Sequence, residues 1–419
     1  MKKTYLLFLG ILIVQLSSCQ NQNISNREAD LDSLATELPQ KHCNFFAVKP
    51  EKEFREGIQA IRKQLNGLSD LTFALKLQQL VASFGDSHTK VNWTQFIDKT
   101  QILPLRLDWF SDGIYILQTT PEYSGMLGKQ LVSINGVPIK TVQDSLSTLI
   151  TVDNQSMVKK DVPSLLPLVQ VLQFFGFASG TDVELGIKDA TGNVVQYAIE
   201  PAALNRQKLS MFRPDSFALC YRNQRKFFTG RYLPRDKVLY MQYNQCQSKE
   251  MAIKFNHGKN ASRLPSFDEF EEKVFDALKS KDVDKFVFDV RFNPGGNSDQ
   301  GTEFIKKLSK YIRDRQPNLK TYAIIGRKTF SSAIINAIEF KRMTKGIFVG
   351  EETGGKPNHF GEVRNFKLPH SGLQIYYSTK YFKEVSEDTN TIEPDVTVAS
   401  SFEDYAHGID PALEWIIKH

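Results

Sequence analysis

Cysteine is scarce, four residues in 419, and no two of the four stand close enough together to suggest a metal-binding pair. Zinc is therefore not expected. Cys220 and Cys246 are open to a disulfide outside the cytoplasm or to remaining thiols, and Cys43 adds a third such residue. No Walker loop, dinucleotide fingerprint or metal-ligand spacing occurs, so no cofactor is implied. Dense Lys/Arg blocks are missing too: the net charge of +6 comes from 53 basic and 47 acidic residues scattered along the chain, which gives no footing for nucleic acid as a partner. Long apolar runs are absent as well, the most apolar stretch being Tyr5 to Leu16, too short to cross a bilayer comfortably. What is present is a chain of enzyme size, long enough for two or three domains.

The amino terminus reads as an address. Lys2 and Lys3 precede that apolar run, and Leu16-Ser17-Ser18-Cys19 follows it. This resembles a bacterial lipobox, which implies cleavage before Cys19 and lipidation of its thiol. The alternative is an ordinary secretory signal. Residues 1–19 are thus expected to be a signal peptide and 20–36 a polar tether. By the same resemblance, the lack of an acidic residue after Cys19 points to the outer membrane, facing the periplasm.

Residues 37–98 read as a small helical domain, with Leu71, Leu75, Leu80 and Phe84 spaced along one helical stretch that stops at Gly85. At its end lies Gly85-Asp86-Ser87-His88-Thr89, a turn that leads into a strand-like segment. Residues 99–202 form a β-rich unit with a tight Asn135-Gly136 turn, a helix at 142–150, a helical insertion at 153–178, and strands at 183–187 and 194–199. That order is similar to part of a PDZ domain, which captures extended peptides by strand addition; the alternative is a packing domain with no peptide affinity.

From residue 203 to 419 the pattern changes to buried strands alternating with amphipathic helices, the mark of a parallel α/β layer. Strands are expected at 238–243, 286–290, 322–325 and 346–350, and helices at 267–279, 299–314 and after Ser331. In such sheets functional residues gather where strands end and helices begin. Two segments hold that position. Phe288-Asp289-Val290-Arg291-Phe292-Asn293-Pro294-Gly295-Gly296 can present bare backbone amides, because glycine permits the unusual dihedrals that aim them at a ligand. Thr329-Phe330-Ser331-Ser332-Ala333 places a serine hydroxyl at the positive end of a helix. An attacking oxygen beside donors for a developing oxyanion is what acyl transfer at an amide requires.

The order D-x-R-x-N-x-G-G, then a strand, then T-F-S-S-A, then G-E-E-T-G-G-K resembles the tail-specific, or C-terminal processing, serine peptidase family, whose core is shared with tricorn protease and with interphotoreceptor retinoid-binding modules. The resemblance implies a crotonase-like peptidase core and assigns Ser331 as nucleophile. It gives the oxyanion hole to the amides of Ser332 and of Gly295 or Gly296. Lys356 falls at the family lysine's distance, 25 positions after Ser331. Yet Ile334 stands where the processing proteases have a glutamate, and Pro357-Asn358-His359-Phe360 replaces their usual Gly-x-x-Gln. The tricorn-like branch uses a Ser-His pair instead, which Ser87-His88 resembles. A histidine near pKa of about 6.5 accepts a proton at neutral pH, whereas a lysine near about 10.4 needs strong desolvation first. His88 is therefore the expected base and Lys356 the alternative, with Glu393 the expected orienting carboxylate.

The function so implied is a lipid-anchored serine endopeptidase acting on extracytoplasmic proteins or peptides. The competing reading is a non-catalytic relative that binds peptides or apolar ligands in the same groove.

Overall fold

The protein is described by a computed structural model that covers residues 2–202, 209–255 and 257–419, with side chains from residue 22 onward. The chain divides into two compact units, one made of residues 1–98, 148–151 and 360–382, the other of 99–147, 152–359 and 383–419.

In the first unit three helices, Lys2–Lys41, Glu51–Arg62 and Asp70–Ala82, are joined by a small sheet. In that sheet strand Gln374–Phe382 lies between Lys90–Val91 and His359–Lys367. Residues 22–36, the described part of the segment read from sequence as a polar tether, are helical. The reason is an apolar stripe: Leu31, Leu34 and Leu38 repeat at helical spacing and are all fully buried, and such a stripe holds a helix against a core even when its other faces are polar. Phe45, Phe54, Phe73 and Phe84 fill that core, with Phe45 stacked on Phe84 at 5.0 Å. Ser69 caps the third helix by accepting from the Thr72 amide, as its sequence position before an apolar run suggests. Cys19 lies outside the residues whose side chains are described. Among the described residues no helix is long and apolar enough to cross a membrane.

Among its described residues the second unit holds two sheets. One is antiparallel and runs through strands Leu105–Phe110, Gly113–Thr119, Gln130–Ile134, Val183–Lys188 and Val194–Ile199. Asn135 and Gly136 make its tight turn with φ of 47° and 76°, the conformation that favours this residue pair. Helices Gln155–Leu165 and Val169–Phe174 form the insertion.

The other sheet has the order Val396–Thr397, Ile347–Gly350, Lys320–Ile325, Lys285–Asp289, Val238–Tyr243, Phe228–Leu233. Every neighbouring pair is parallel except the last. This is the α/β layer with crossover helices read from the sequence. Helices Phe267–Ser280, Asp299–Arg315 and Ser332–Thr344 supply one core, with Phe286, Phe288, Phe304 and Phe340 fully buried. Each such ring contributes roughly 2–3 kcal/mol of apolar burial. On the other core Tyr240, Val287 and Ile324 meet Ile416 of helix Pro411–Lys418. Two covered faces explain why strand Val238–Tyr243 is buried at every position, since a parallel sheet needs apolar side chains on both sides. Cys220 and Cys246 are both buried thiols and form no disulfide.

Candidate active site

Two loops at the C-terminal ends of adjacent parallel strands are laced together in the second unit. Asn293, fully buried, is the knot. Its Nδ2 donates to the Tyr243 carbonyl at 2.9 Å, its Oδ1 accepts from the Gly295 amide at 2.9 Å, and its own carbonyl accepts from the Phe330 amide at 3.1 Å. Thr329 ties the second loop to the first, its hydroxyl donating to the Val290 carbonyl at 2.9 Å. The close approach demands glycine: a Cβ on Gly295 would stand 2.9 Å from both the Phe330 carbonyl oxygen and Ser331 Cβ.

Ser331 stands directly before helix Ser332–Thr344 with φ 54° and ψ −126°. A residue with a Cβ is strained there, since that backbone region belongs essentially to glycine. The strain turns the chain sharply from loop to helix and leaves the hydroxyl at the helix's positive end, the arrangement that exposes a nucleophile on a strand-to-helix elbow.

The backbone donors around Ser331 divide clearly. The Gly295 amide is committed to Asn293 Oδ1. Gly296 forms a parallel bridge with Cys246, in which the Cys246 amide donates to the Gly295 carbonyl at 3.1 Å and the Asn297 amide to the Cys246 carbonyl at 2.9 Å. Those bonds are made by the residues flanking Gly296, so its own N–H and C=O face the opposite side. That side is where Ser332 lies, for the Ser332 hydroxyl donates to the Gly296 carbonyl at 2.8 Å. Among the described residues the Ser332 and Gly296 amides donate to no backbone acceptor outside helices and strands. Of the three amides named from sequence, only that of Gly295 is taken up by a side chain of the loop.

Lys356 is half-buried and its side chain makes no ion pair or hydrogen bond among the described residues. Its neighbours are fixed against the serine loop: the Gly354 amide donates to the Thr329 carbonyl at 3.1 Å, and a Cβ on Gly355 would lie 2.7 Å from the Phe330 ring. His359 is buried, its Nδ1 3.2 Å from the Pro357 carbonyl. Glu393 is exposed, while Asp395 two positions on holds Lys341 and the Phe348 amide. Lys160, from the helical insertion, sets its ammonium 5.0 Å from the centre of the Phe330 ring. Lys328 sits likewise over Phe292 at 5.5 Å, and burial draws its pKa below the ordinary lysine value.

Ser87 and His88 belong to the first unit, in the turn between helix Asp70–Ala82 and strand Lys90–Val91. Asp86 organises this turn, and sequence reasoning missed it. Its buried carboxylate accepts from His42 Nε2 at 2.9 Å, Thr89 Oγ1 at 2.5 Å, Ser378 Oγ at 2.6 Å and the His88 amide at 2.9 Å. Burial pushes its pKa up, but the donors outweigh that, His42 first, and hold it at about 2. The Asn44 amide donates to His42 Nδ1 at 2.9 Å, so the ring's proton is on Nε2 and His42 faces Asp86 as a neutral donor. The His88 ring lies with Nδ1 3.9 Å from Asp86 Oδ1. The only sequence signal for this hub was an aspartate inside the turn; its partners come from residues 42 and 378.

Comparison with known proteins bears on these loops directly. Residues 240–398 match the model of Peptidase family S41. Among solved structures, mature CPAF complexed with lactacystin is similar in fold, with a TM-score of 0.64 and 13% identity over 95% of this chain and 98% of that one. Mature CPAF alone gives 0.61 at 13% identity, covering 95% and 97%. Tricorn protease gives 0.43 at 15% identity, covering 94% of this chain and 36% of that one. No curated protein matches the sequence.

Proposed function

We propose, from the match of residues 240–398 to Peptidase family S41, that this chain is a serine peptidase that cleaves peptide bonds through an acyl-enzyme on Ser331. The carrying observation is the strained Ser331 backbone at a helix start, packed against Gly295. In this reading Ser331 Oγ attacks the substrate carbonyl carbon as a base removes its proton. The carbonyl oxygen takes up the negative charge within reach of the Ser332 and Gly296 amides. Collapse breaks the C–N bond, the amine leaves with the proton, and water then releases the acyl group as a carboxylic acid.

His88 is the proposed base. The support is chemical: histidine is the side chain most often used as a general base, and the Asp86 network fixes the backbone that carries it. Ser87 and Glu393 are the proposed auxiliaries to the base, and Lys356 the alternative to His88. The proposed substrates are extracytoplasmic proteins or peptides, met at the cell envelope where lipidated Cys19 would hold the enzyme to the outer membrane on its periplasmic side. The support is the basic, apolar and small-residue order of residues 2–19.

The test is labelling by a serine-directed fluorophosphonate across a pH series, with Ser331→Ala, His88→Ala and Lys356→Ala alongside wild type. Loss in the first two with retention in the third supports the reading. Loss in Lys356→Ala with His88→Ala unaffected transfers the base to Lys356, and an unlabelled wild type overturns the proposed chemistry.

A further inference from the structure

We infer that the Ser332 side chain, beyond its backbone amide, is a positioning residue that keeps the oxyanion hole open by holding the peptide plane after Gly296. The inference rests on the acyl-transfer reading above.

The loop that offers the second oxyanion donor has a built-in weakness. Gly295 and Gly296 stand in sequence with φ of 101° and 140°, and two adjacent glycines allow the peptide planes around them to rotate at little cost. Rotation of the plane between them would replace an inward N–H by an inward carbonyl, turning an anion-stabilising site into a repelling one. Both planes flanking Gly296 are pinned. The Gly295 carbonyl accepts from the Cys246 amide, which directs the Gly296 N–H away from Cys246 across a trans peptide. The Gly296 carbonyl accepts from Ser332 Oγ at 2.8 Å, and the Asn297 amide of the same plane donates to Cys246.

These anchors differ in kind. Those to Cys246 are backbone bonds and survive almost any substitution. The bond from Ser332 is the only one among them made by a side chain, and it comes from the residue directly after the nucleophile. It therefore registers Gly296, through the carbonyl on the far side of its Cα from the N–H, against the residue that follows Ser331. Ser332 is buried, 8% exposed, so water does not readily take the place of its hydroxyl, and removing it leaves the Gly296 carbonyl without this donor. A Cβ on Gly296 would lie 2.4 Å from the Cys246 carbonyl oxygen, so a side chain at that position cannot stiffen the loop instead.

The prediction separates transition-state from ground-state effects. Ser332→Ala is expected to slow fluorophosphonate acylation of Ser331 about tenfold, a fraction of what loss of a whole oxyanion donor costs. For a peptide that the wild type cleaves, kcat should fall by a similar factor while KM holds. Ser332→Thr, which keeps the hydroxyl, should stay within about threefold of wild type if the donor is what matters. Thermal unfolding of each variant checks the fold. If Ser332→Ala does not fold, Ser332→Cys, of similar shape but a weak donor, carries the comparison. Acylation at wild-type rate without the hydroxyl, equal losses in the Ala and Thr variants, or a change confined to KM would each overturn the inference while Ser331 labelling in the wild type stands. An unlabelled wild type removes the reading on which it rests, and the inference with it.

Discussion

Arg291 and Asp410 meet in a two-point ion pair, Nη1 to Oδ1 at 2.8 Å and Nη2 to Oδ2 at 2.9 Å. The same guanidinium reaches Asp289 through Nε at 2.9 Å, and Asp289 accepts from the Tyr240 hydroxyl at 2.5 Å. Asp410 also caps the last helix through the Leu413 amide. The loop bearing Gly295 and Gly296 thus starts from a buried charge network that ties it to the carboxyl-terminal helix.

Removing the one cation from this network leaves two buried carboxylates without their partner. Arg291→Ala is expected to destabilise the protein by about 3–5 kcal/mol, measured as the shift in free energy from urea unfolding. A loss below about 1 kcal/mol would show that the network behaves like an exposed pair.

Ser331 offers a second stability test with the opposite sign. Ser331→Gly relieves the positive φ and should unfold about 1 kcal/mol later than Ser331→Ala. Neither variant should take up the fluorophosphonate. Equal stabilities would mean that the elbow stores no strain.

Gly295 leaves no room for a side chain beside Ser331. Gly295→Ala must push the two loops apart, and acylation should fall by about tenfold or more. Near-UV circular dichroism should stay close to wild type, because the displacement is confined to the loops.

Asp86 gives the acid limb of stability. Its pKa is held at about 2 in the folded state, below the unfolded value of about 3.9. A depressed carboxylate stabilises fully above the unfolded pKa, and that contribution is lost as pH falls from about 4 towards 2. Asp86→Asn should remove on the order of 2 kcal/mol at pH 7 and flatten the stability profile between pH 4 and 2. Urea unfolding at pH 3, 5 and 7 distinguishes this from a pH-independent loss.

Lys328 works in the other direction. Its pKa is drawn down by burial, so the charged form opposes folding at neutral pH, and that penalty fades as pH rises through the folded value towards about 10.4. Lys328→Met should therefore raise the melting temperature at pH 7, with a smaller gain at pH 9.5. An unchanged or lower melting temperature at pH 7 would indicate that the ammonium is satisfied over Phe292.

The sequence was most legible where local pattern and tertiary role coincide. The strands 238–243, 285–289 and 320–325 are apolar over most of their length because both sheet faces are covered, and the crossover helices show regular apolar spacing. Ser331, Gly295 and Gly296 were visible because loops between a strand and a helix are bounded by recognisable signals. Two things were not. Residues 22–36 look polar by composition, and only the spacing of Leu31, Leu34 and Leu38 marks a buried stripe. Asp86 has no local signature either, since its hydrogen-bond partners His42 and Ser378 are separated from it by tens and hundreds of positions. Nor could spacing tell the Gly295 amide from that of Gly296; Asn293 engages the former.

The first compact unit is assembled from pieces distant in the chain, and this has a consequence during biosynthesis. Among the described residues strand Lys90–Val91 pairs only with Gln374–Phe382, and the Asp86 carboxylate waits for the hydroxyl of residue 378 in a chain of 419. While the ribosome is still extending the polypeptide, the turn bearing His88 lacks both its sheet neighbour and one of its donors. Domains ordinarily fold from the amino end as they emerge, but this one has to stay unfinished until translation is nearly over. Ser378, which completes the turn, lies 292 positions after Asp86, so the geometry of the turn is set by nearly the last part of the chain to emerge.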